Sequence, residues 1–286
     1  MHKGRKESSI ISFCDYLRRE EKEETTIKKY ERDTRKLLSF ISENYKNTDE
    51  ITKDMVLAYK KSLLENYAVS SVNSMLAAAN HFLHYVSKDE CMVKRIKVQH
   101  KPFLEEDKCL TVKDVEQLME MATKQGKVRL KMIMETFYCT GIRVSELSFM
   151  TVRQVEAGII KIHNKGKERM IAITQGLRKR LLWYAKVIGI KNGPIFVTRT
   201  GKTIDRSNLW RELKEICKEA GVKAKKCFPH NFRHLFARGY YAVTKDIVNL
   251  ADILGHSSIE TTKIYTKKTY IEFLMGLEAM ECIAKE

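Results

Sequence analysis

The stretch CFPHNFRHLF, residues 227–236, places two histidines and an arginine within little more than one turn of an expected helix. Pro229 suits the first helical position, where its missing N–H costs nothing. His230 and Arg233 stand three residues apart and therefore face the same way. His230 and His234, four apart, could share a zinc ion. No acidic or cysteine partner stands at ligand spacing, so no metal is expected. The chemistry of this turn depends on what else in the chain can join it.

Four further stretches can. TGIRVSEL (140–147) carries Arg143, with Glu146 one turn on. NKGK (164–167) puts Lys165 at the tip of an expected hairpin. LGH (254–256) ends a helix at Gly255 and projects His256. SSIETTKIYTKK (257–268) opens with a Ser257/Glu260 capping-box pattern and carries Tyr265. Each has an ordinary reading alone: an Arg143–Glu146 surface ion pair, turn chemistry at Lys165, a C-cap at His256, half-buried packing for Tyr265. Together they suit attack on a phosphodiester. Arginine forks match the phosphoryl oxygens and stay charged. Histidines hydrogen-bond or move protons near neutral pH. A lysine can protonate a leaving alkoxide, and a tyrosine can be a covalent nucleophile. No carboxylate cluster for Mg²⁺ is visible, so fixed cations would do a metal's work and no cofactor is expected.

Charge points the same way. The 286 residues carry 53 Lys and Arg against 36 Asp and Glu, a net +17; residues 1–100 account for +4 and residues 101–286 for +13. A basic surface of that size favours a polyanion, nucleic acid above an acidic membrane. The seven cysteines include no C-x-x-C pair. That argues against a disulfide framework and a zinc ribbon. No stretch reads as a signal peptide or spanning helix, so a cytoplasmic protein without a membrane partner is expected.

The length suits two domains, each with its own core. Residues 1–88 read as four amphipathic helices, as in TTIKKYERDTRKLLSFISENY with Ile27, Tyr30, Leu37, Leu38 and Ile41 near helical spacing. Thr52 is an expected N-cap. Residues 89–107 lose the periodicity and read as a linker. Residues 108–286 restart with a helix capped by Thr111. GIIKIHNKGKERMIAI alternates on both sides of NKGK, as a hairpin does, and TVRQV (151–155) is expected to add a third strand. Helices follow at 175–188, 205–220, 229–243, 245–254 and 257–270. The fold class is mainly α with a small antiparallel sheet. In the final segment, Phe273, Leu274, Leu277, Met280 and Ile283 line one side of a helix that must fold back on its own domain or dock on a neighbour.

The ordered set Arg, Lys, His-x-x-Arg, His, Tyr, with nine residues from His256 to Tyr265, resembles the tyrosine recombinases, or phage integrases, and is similar to their Xer-like and transposon-type members. TGIRVSEL and LGHSSIETTKIYT are close to the forms that family uses. The resemblance covers nearly the whole chain. It implies a helical core-binding DNA-binding domain followed by a mixed α/β catalytic domain. It implies site-specific, metal-free DNA cleavage and rejoining through a 3′-phosphotyrosine. Arg143 and Arg233 would clamp the scissile phosphate, and His230 and His256 would hydrogen-bond it or assist proton transfer. Lys165 would be the general acid, Tyr265 the nucleophile, and Glu146 a support orienting a cationic neighbour. Similar proteins often carry DNA-facing arginines on the last helix of the first domain; here Asn73, Asn80 and His81 stand there instead as candidate DNA contacts. Lys167 and Arg169 are candidates on the hairpin. The resemblance also implies a homotetramer on DNA, joined by exchange of C-terminal tails, or a ring shared with a paralogous recombinase. The alternatives are a non-catalytic DNA-binding regulator and a type IB topoisomerase-like enzyme.

Overall fold

The computed structural model describes residues 3–45, 50–97, 104–164, 167–198, 200–256, 258–267 and 274. The chain divides into two compact units, Met1–His100 and Lys101–Glu286.

The first unit is built from α1 (Lys3–Arg19), α2 (Glu24–Asn44), α3 (Lys53–Asn66) and α4 (Val69–Tyr85). Their apolar stripes meet in one core that includes Phe13, Leu17, Leu37, Val56, Leu76 and Phe82. On α2 the buried positions Ile27, Thr34, Leu37, Leu38 and Ile41 follow helical spacing. Thr52 precedes α3 but makes no side-chain cap. Residues 89–97, expected as linker, belong to this unit. Cys91 and Val93 are buried in its core, and two asparagines of α4 hold the segment down. Asn80 Nδ2 donates to the Val93 carbonyl (2.9 Å) and Asn80 Oδ1 accepts the Val93 N–H (3.1 Å). Asn73 does the same for Ile96, at 2.9 and 2.8 Å. Each amide stands in for a strand partner, satisfying backbone groups that would otherwise lose water without replacement.

The second unit begins with α5 (Val112–Lys124), closed at its start by a full Thr111–Asp114 capping box. Then come α6 (Val128–Thr140), a 3₁₀ turn at Val144–Phe149, α7 (Val152–Ala157), β1 (Ile159–Asn164) and β2 (Lys167–Ala172). Residues 152–155 open α7, and Thr151 makes no more than an isolated antiparallel bridge to Pro194, which corrects the expected third strand. Thr151 Oγ1 accepts the Gln154 N–H at 3.3 Å and Gly158 ends the turn in the left-handed region, so caps at both ends override a short β-branched run. The two strands form an antiparallel pair in the register Ile160↔Ile171 and Ile162↔Arg169. The helices α8 (Gln175–Val187), α9 (Arg206–Glu219), α10 (Pro229–Thr244), α11 (Ile247–Leu254) and α12 (Ile259–Thr262) follow, and a 3₁₀ turn, Lys263–Tyr265, extends α12. Ser258, not Ser257, caps α12, accepting the Glu260 N–H at 3.2 Å; Ser257 lies outside the described residues. Beyond Thr266 and Lys267 the expected tail helix also lies outside them, apart from Leu274.

The main core of this unit spans α5–α9 and the hairpin, and Phe232 of α10 joins it against Phe137 of α6. A smaller cluster joins Ala237 of α10, Leu250 and Leu254 of α11, and Tyr265. Cys217 of α9 and Cys227 are fully buried and form a disulfide. The cysteine count did not lead to this pair, because a turn between two helices, and no short motif, brings it together. No helix among the described residues is long and apolar enough to cross a membrane.

Candidate active site

Pro229 occupies the first turn of α10, so His230, Arg233 and His234 project from that helix's first two turns. Arg233 is only 1% exposed. Its Nη1 donates to the Gly141 carbonyl (2.6 Å), its Nη2 to the Leu254 carbonyl (2.5 Å), and Nη2 also lies 3.2 Å from His256 Nε2. Those carbonyls end α6 and α11. Both helices stop on glycines in the left-handed region, Gly141 at φ 61° and Gly255 at φ 63°. A guanidinium at two helix C-termini meets their partial negative charge. Burial, and then the charges of Arg143 and Arg169, lower its pKa to about 10, so it stays protonated at neutral pH. Its Nε is buried and meets no hydrogen-bond acceptor among the described residues.

Arg143 follows Gly141 and is tied down by Glu146, itself 1% exposed. The Glu146 carboxylate accepts the Arg143 backbone N–H at 2.8 Å and Arg143 Nη1 at 2.9 Å. It also accepts Arg169 Nη2 at 2.5 Å. Burial pushes this carboxyl up, but Arg169 and the hydrogen bonds from Arg143 hold it below its ordinary value. Arg143 keeps a side chain 37% exposed, so it can still reach a ligand.

All three histidines of the site are held below their ordinary pKa. His256 follows Gly255; its Nδ1 lies 2.9 Å from Thr262 Oγ1. Burial, then Arg233 and Arg143, lower its pKa to about 4. Burial, then His230 and Arg233, do the same to His234. His230 is lowered by burial and by the same two arginines that flank His256. The rings form a chain: His230 to His234 at 4.5 Å, His234 to Tyr265 at 5.0 Å, and Tyr265 stacked on His256 at 6.0 Å between centroids. Tyr265 is 3% exposed. Burial pushes its phenol up, while Arg233 pulls it down.

Arg143, His230, Arg233, His256 and Tyr265 thus share one site, with Glu146 beneath it. Lys165 lies outside the described residues. Lys167 has its backbone in β2, paired with Asn164. Three candidate DNA contacts have partners within the chain. Asn73 and Asn80 spend both ends of their amides on residues 93 and 96. Arg169, its side chain 10% exposed, turns inward; besides Glu146 its Nη1 reaches the Ile253 carbonyl, and it packs against Gly255. The alternation of the strand carried that signal: Glu168 and Met170 face out, whereas Arg169 shares the inner face with Ile171. His81 is half-buried, its ring 5.3 Å from that of Tyr30. His234 and Thr262, which the motif reading left without a role, also belong to the site. Among the described residues no three His, Cys, Asp or Glu side chains are grouped to hold a metal ion.

Comparison with known proteins identifies the frame that carries this geometry. Residues 108–272 match the phage integrase family, and residues 10–89 match the phage integrase N-terminal SAM-like domain. The chain is 30% identical to the tyrosine recombinase XerA of Pyrococcus furiosus over 267 residues, covering 91% of this chain and 89% of that one. It is also 30% identical to the tyrosine recombinase XerD of Listeria monocytogenes, covering 85% and 88%. A lambda integrase tetramer bound to a Holliday junction shares the fold at a TM-score of 0.72 and 15% identity, covering 91% of this chain and 76% of that one. Matched in both of its units, and with a tyrosine buried among arginines and histidines, the chain belongs to the phage integrase family, as a tyrosine-type site-specific recombinase.

Proposed function

We propose that this recombinase breaks and rejoins double-stranded DNA through a 3′-phosphotyrosine, with Tyr265 as nucleophile and without metal or cofactor. The observation that carries the reading is the placement of Tyr265 against His256 and His234, with Arg233 and Arg143 close enough to act on the same groups. Tyr265 Oη attacks the scissile phosphorus and the bond to the 5′-oxygen breaks. The phenol proton passes to a neutral histidine, and Lys165 protonates the departing oxygen. Arg143 and Arg233 hold the non-bridging oxygens, on which negative charge grows in the transition state. Two neutral histidines beside two fixed cations suit this division of labour: the arginines supply charge, and the imidazoles supply proton traffic. On DNA the enzyme acts as a homotetramer, with each C-terminal tail given to the next subunit or, in a mixed ring, to a paralogous recombinase. Its place of work is the cytoplasm, where its DNA is.

The test is trapping on a nicked half-site duplex. Wild type is expected to form a covalent protein–DNA adduct, and Tyr265→Phe is expected to bind the duplex with unchanged affinity and form none. An adduct with the Phe variant would move the nucleophile to another tyrosine. Absence of any adduct with wild type would favour a DNA-binding regulator.

A further inference from the structure

His256 sits between two partners that differ in kind. Arg233 Nη2, 3.2 Å from Nε2, can only donate. His256 Nε2 must therefore accept, and in the neutral ring the proton resides on Nδ1. That nitrogen points at Thr262 Oγ1, 2.9 Å away. Thr262 is fully buried, on the turn that leads three residues later to Tyr265. A buried hydroxyl on one ring nitrogen and a fixed cation on the other leave a single tautomer that satisfies both.

We propose that Thr262 is a positioning residue for strand cleavage: its hydroxyl takes the Nδ1 proton of His256, turns the Nε2 lone pair toward Arg233 and the phosphate site, and fixes the ring over Tyr265. The inference rests on the function proposed above. It explains how one imidazole serves both halves of the step. Before cleavage, Nε2 is a free base. When the Tyr265 O–H bond breaks and the new P–O bond forms, the proton moves to Nε2, which then donates to a phosphate oxygen. Nδ1–H stays on Thr262 throughout; on protonation Nε2 gives up the Arg233 Nη2 hydrogen bond and donates to the phosphate oxygen, so the imidazolium keeps a partner at each nitrogen. Valine has the same shape and can accept nothing, which would leave a buried N–H without a partner. The other charged and titratable groups around His256 are Arg143, Arg169, His230, His234 and Tyr265, and the hydrogen-bond partner that the structure gives Nδ1 is Thr262 Oγ1.

The experiment joins spectroscopy to kinetics in the full-length protein. Imidazole ¹⁵N shifts of the DNA-free protein, with His256 identified by its loss in His256→Ala, are expected to show the proton on Nδ1. Thr262→Val is expected to lose that single tautomer and Thr262→Ser to keep it. Single-turnover cleavage of a half-site duplex should fall about 10-fold in Thr262→Val, the scale of one lost buried hydrogen bond. Cleavage should recover in Thr262→Ser, and DNA affinity should be unchanged in both. A His256 that keeps its Nδ1–H tautomer in Thr262→Val, or a serine variant as slow as the valine variant, overturns the proposal. If the valine variant does not fold, Thr262→Ala and Thr262→Ser take its place, and equal rates in the two are the refuting result. Unimpaired cleavage by His256→Ala would instead refute the role given to His256, and the tautomer measurement then decides the Thr262 contact alone.

Discussion

Neutralising Glu146 should destabilise the second unit more than a surface substitution could. Its carboxylate is 1% exposed and accepts from the Arg143 backbone, Arg143 Nη1 and Arg169 Nη2. Glu146→Gln keeps the shape but removes the charge, and one end of the new amide becomes a donor facing donors. Removing one member of a buried charge network costs about 3–5 kcal/mol, because the remaining charge loses its partner. For a unit of this size each kcal/mol corresponds to roughly 2–4 °C in Tm, so a fall of about 6–20 °C is expected. The assay is a thermal scan with the helical signal as readout, alongside half-site cleavage. Adding Arg169→Met should recover part of the loss, since it removes one stranded cation; double-mutant coupling between contacting residues is roughly 0.5–3 kcal/mol. Cleavage should remain impaired in the double variant, because Arg143 is still unanchored. A Tm within about 2 °C of wild type, with normal cleavage, would refute the reasoning and leave Arg143 positioned by its backbone alone.

Lys165→Ala should cleave slowly on ordinary DNA, by about 10²-fold or more, yet recover on a substrate whose 5′ leaving oxygen is sulfur, since a thiolate departs without a proton; equal loss on both substrates would make Lys165 a DNA contact only. Gly141→Ala should destabilise by about 2–5 kcal/mol in denaturant titration. The new Cβ would sit 2.4 Å from Phe236 Cδ1 at a φ of 61°, which combines left-handed strain with overpacking; a neutral effect would mean that the Phe236 ring turns aside freely. Stability should fall as pH drops from 6.5 to 4. His234 and His256 are held near 4 in the folded chain against an ordinary 6.5, so the unfolded state binds more protons across that window. Their contribution is complete above pH 6.5 and is lost as pH falls through 4. Replacing His234 with Phe should flatten the slope by about one proton, and an unchanged slope would show that this imidazole does not resist protonation.

Much of the fold was legible because its signals are local. Helical periodicity marked the four helices of the first unit, and alternation on either side of NKGK marked the hairpin. The order Arg143, His230, Arg233, His256, Tyr265 could be read because each residue lies in a short motif whose neighbours make the local turn: Gly141, Pro229 and Gly255 cap or open the helices that present them. TVRQV was misread as a strand because its β-branched residues outweighed the cap signal of Thr151 and Gly158.

What the sequence determined alone, then, was most of the helices, the hairpin and which residues were candidates for the site, since backbone propensity and spacing act within a few residues. What only the tertiary structure decided was direction. Asn73 and Asn80 lie seven residues apart on one side of α4, a pattern equally suited to a DNA groove or to a strap; the extended segment at 93–96 claims them. Arg169 could face DNA or Glu146, and the inward face it shares with Ile171 sends it to Glu146. Cys217 of α9 meets Cys227 because the turn that leads into α10 folds both into one core. In each case a polar or reactive side chain has several partners within reach of its type. Burial selects among them, because a group removed from water must be satisfied by whatever the packed chain places beside it.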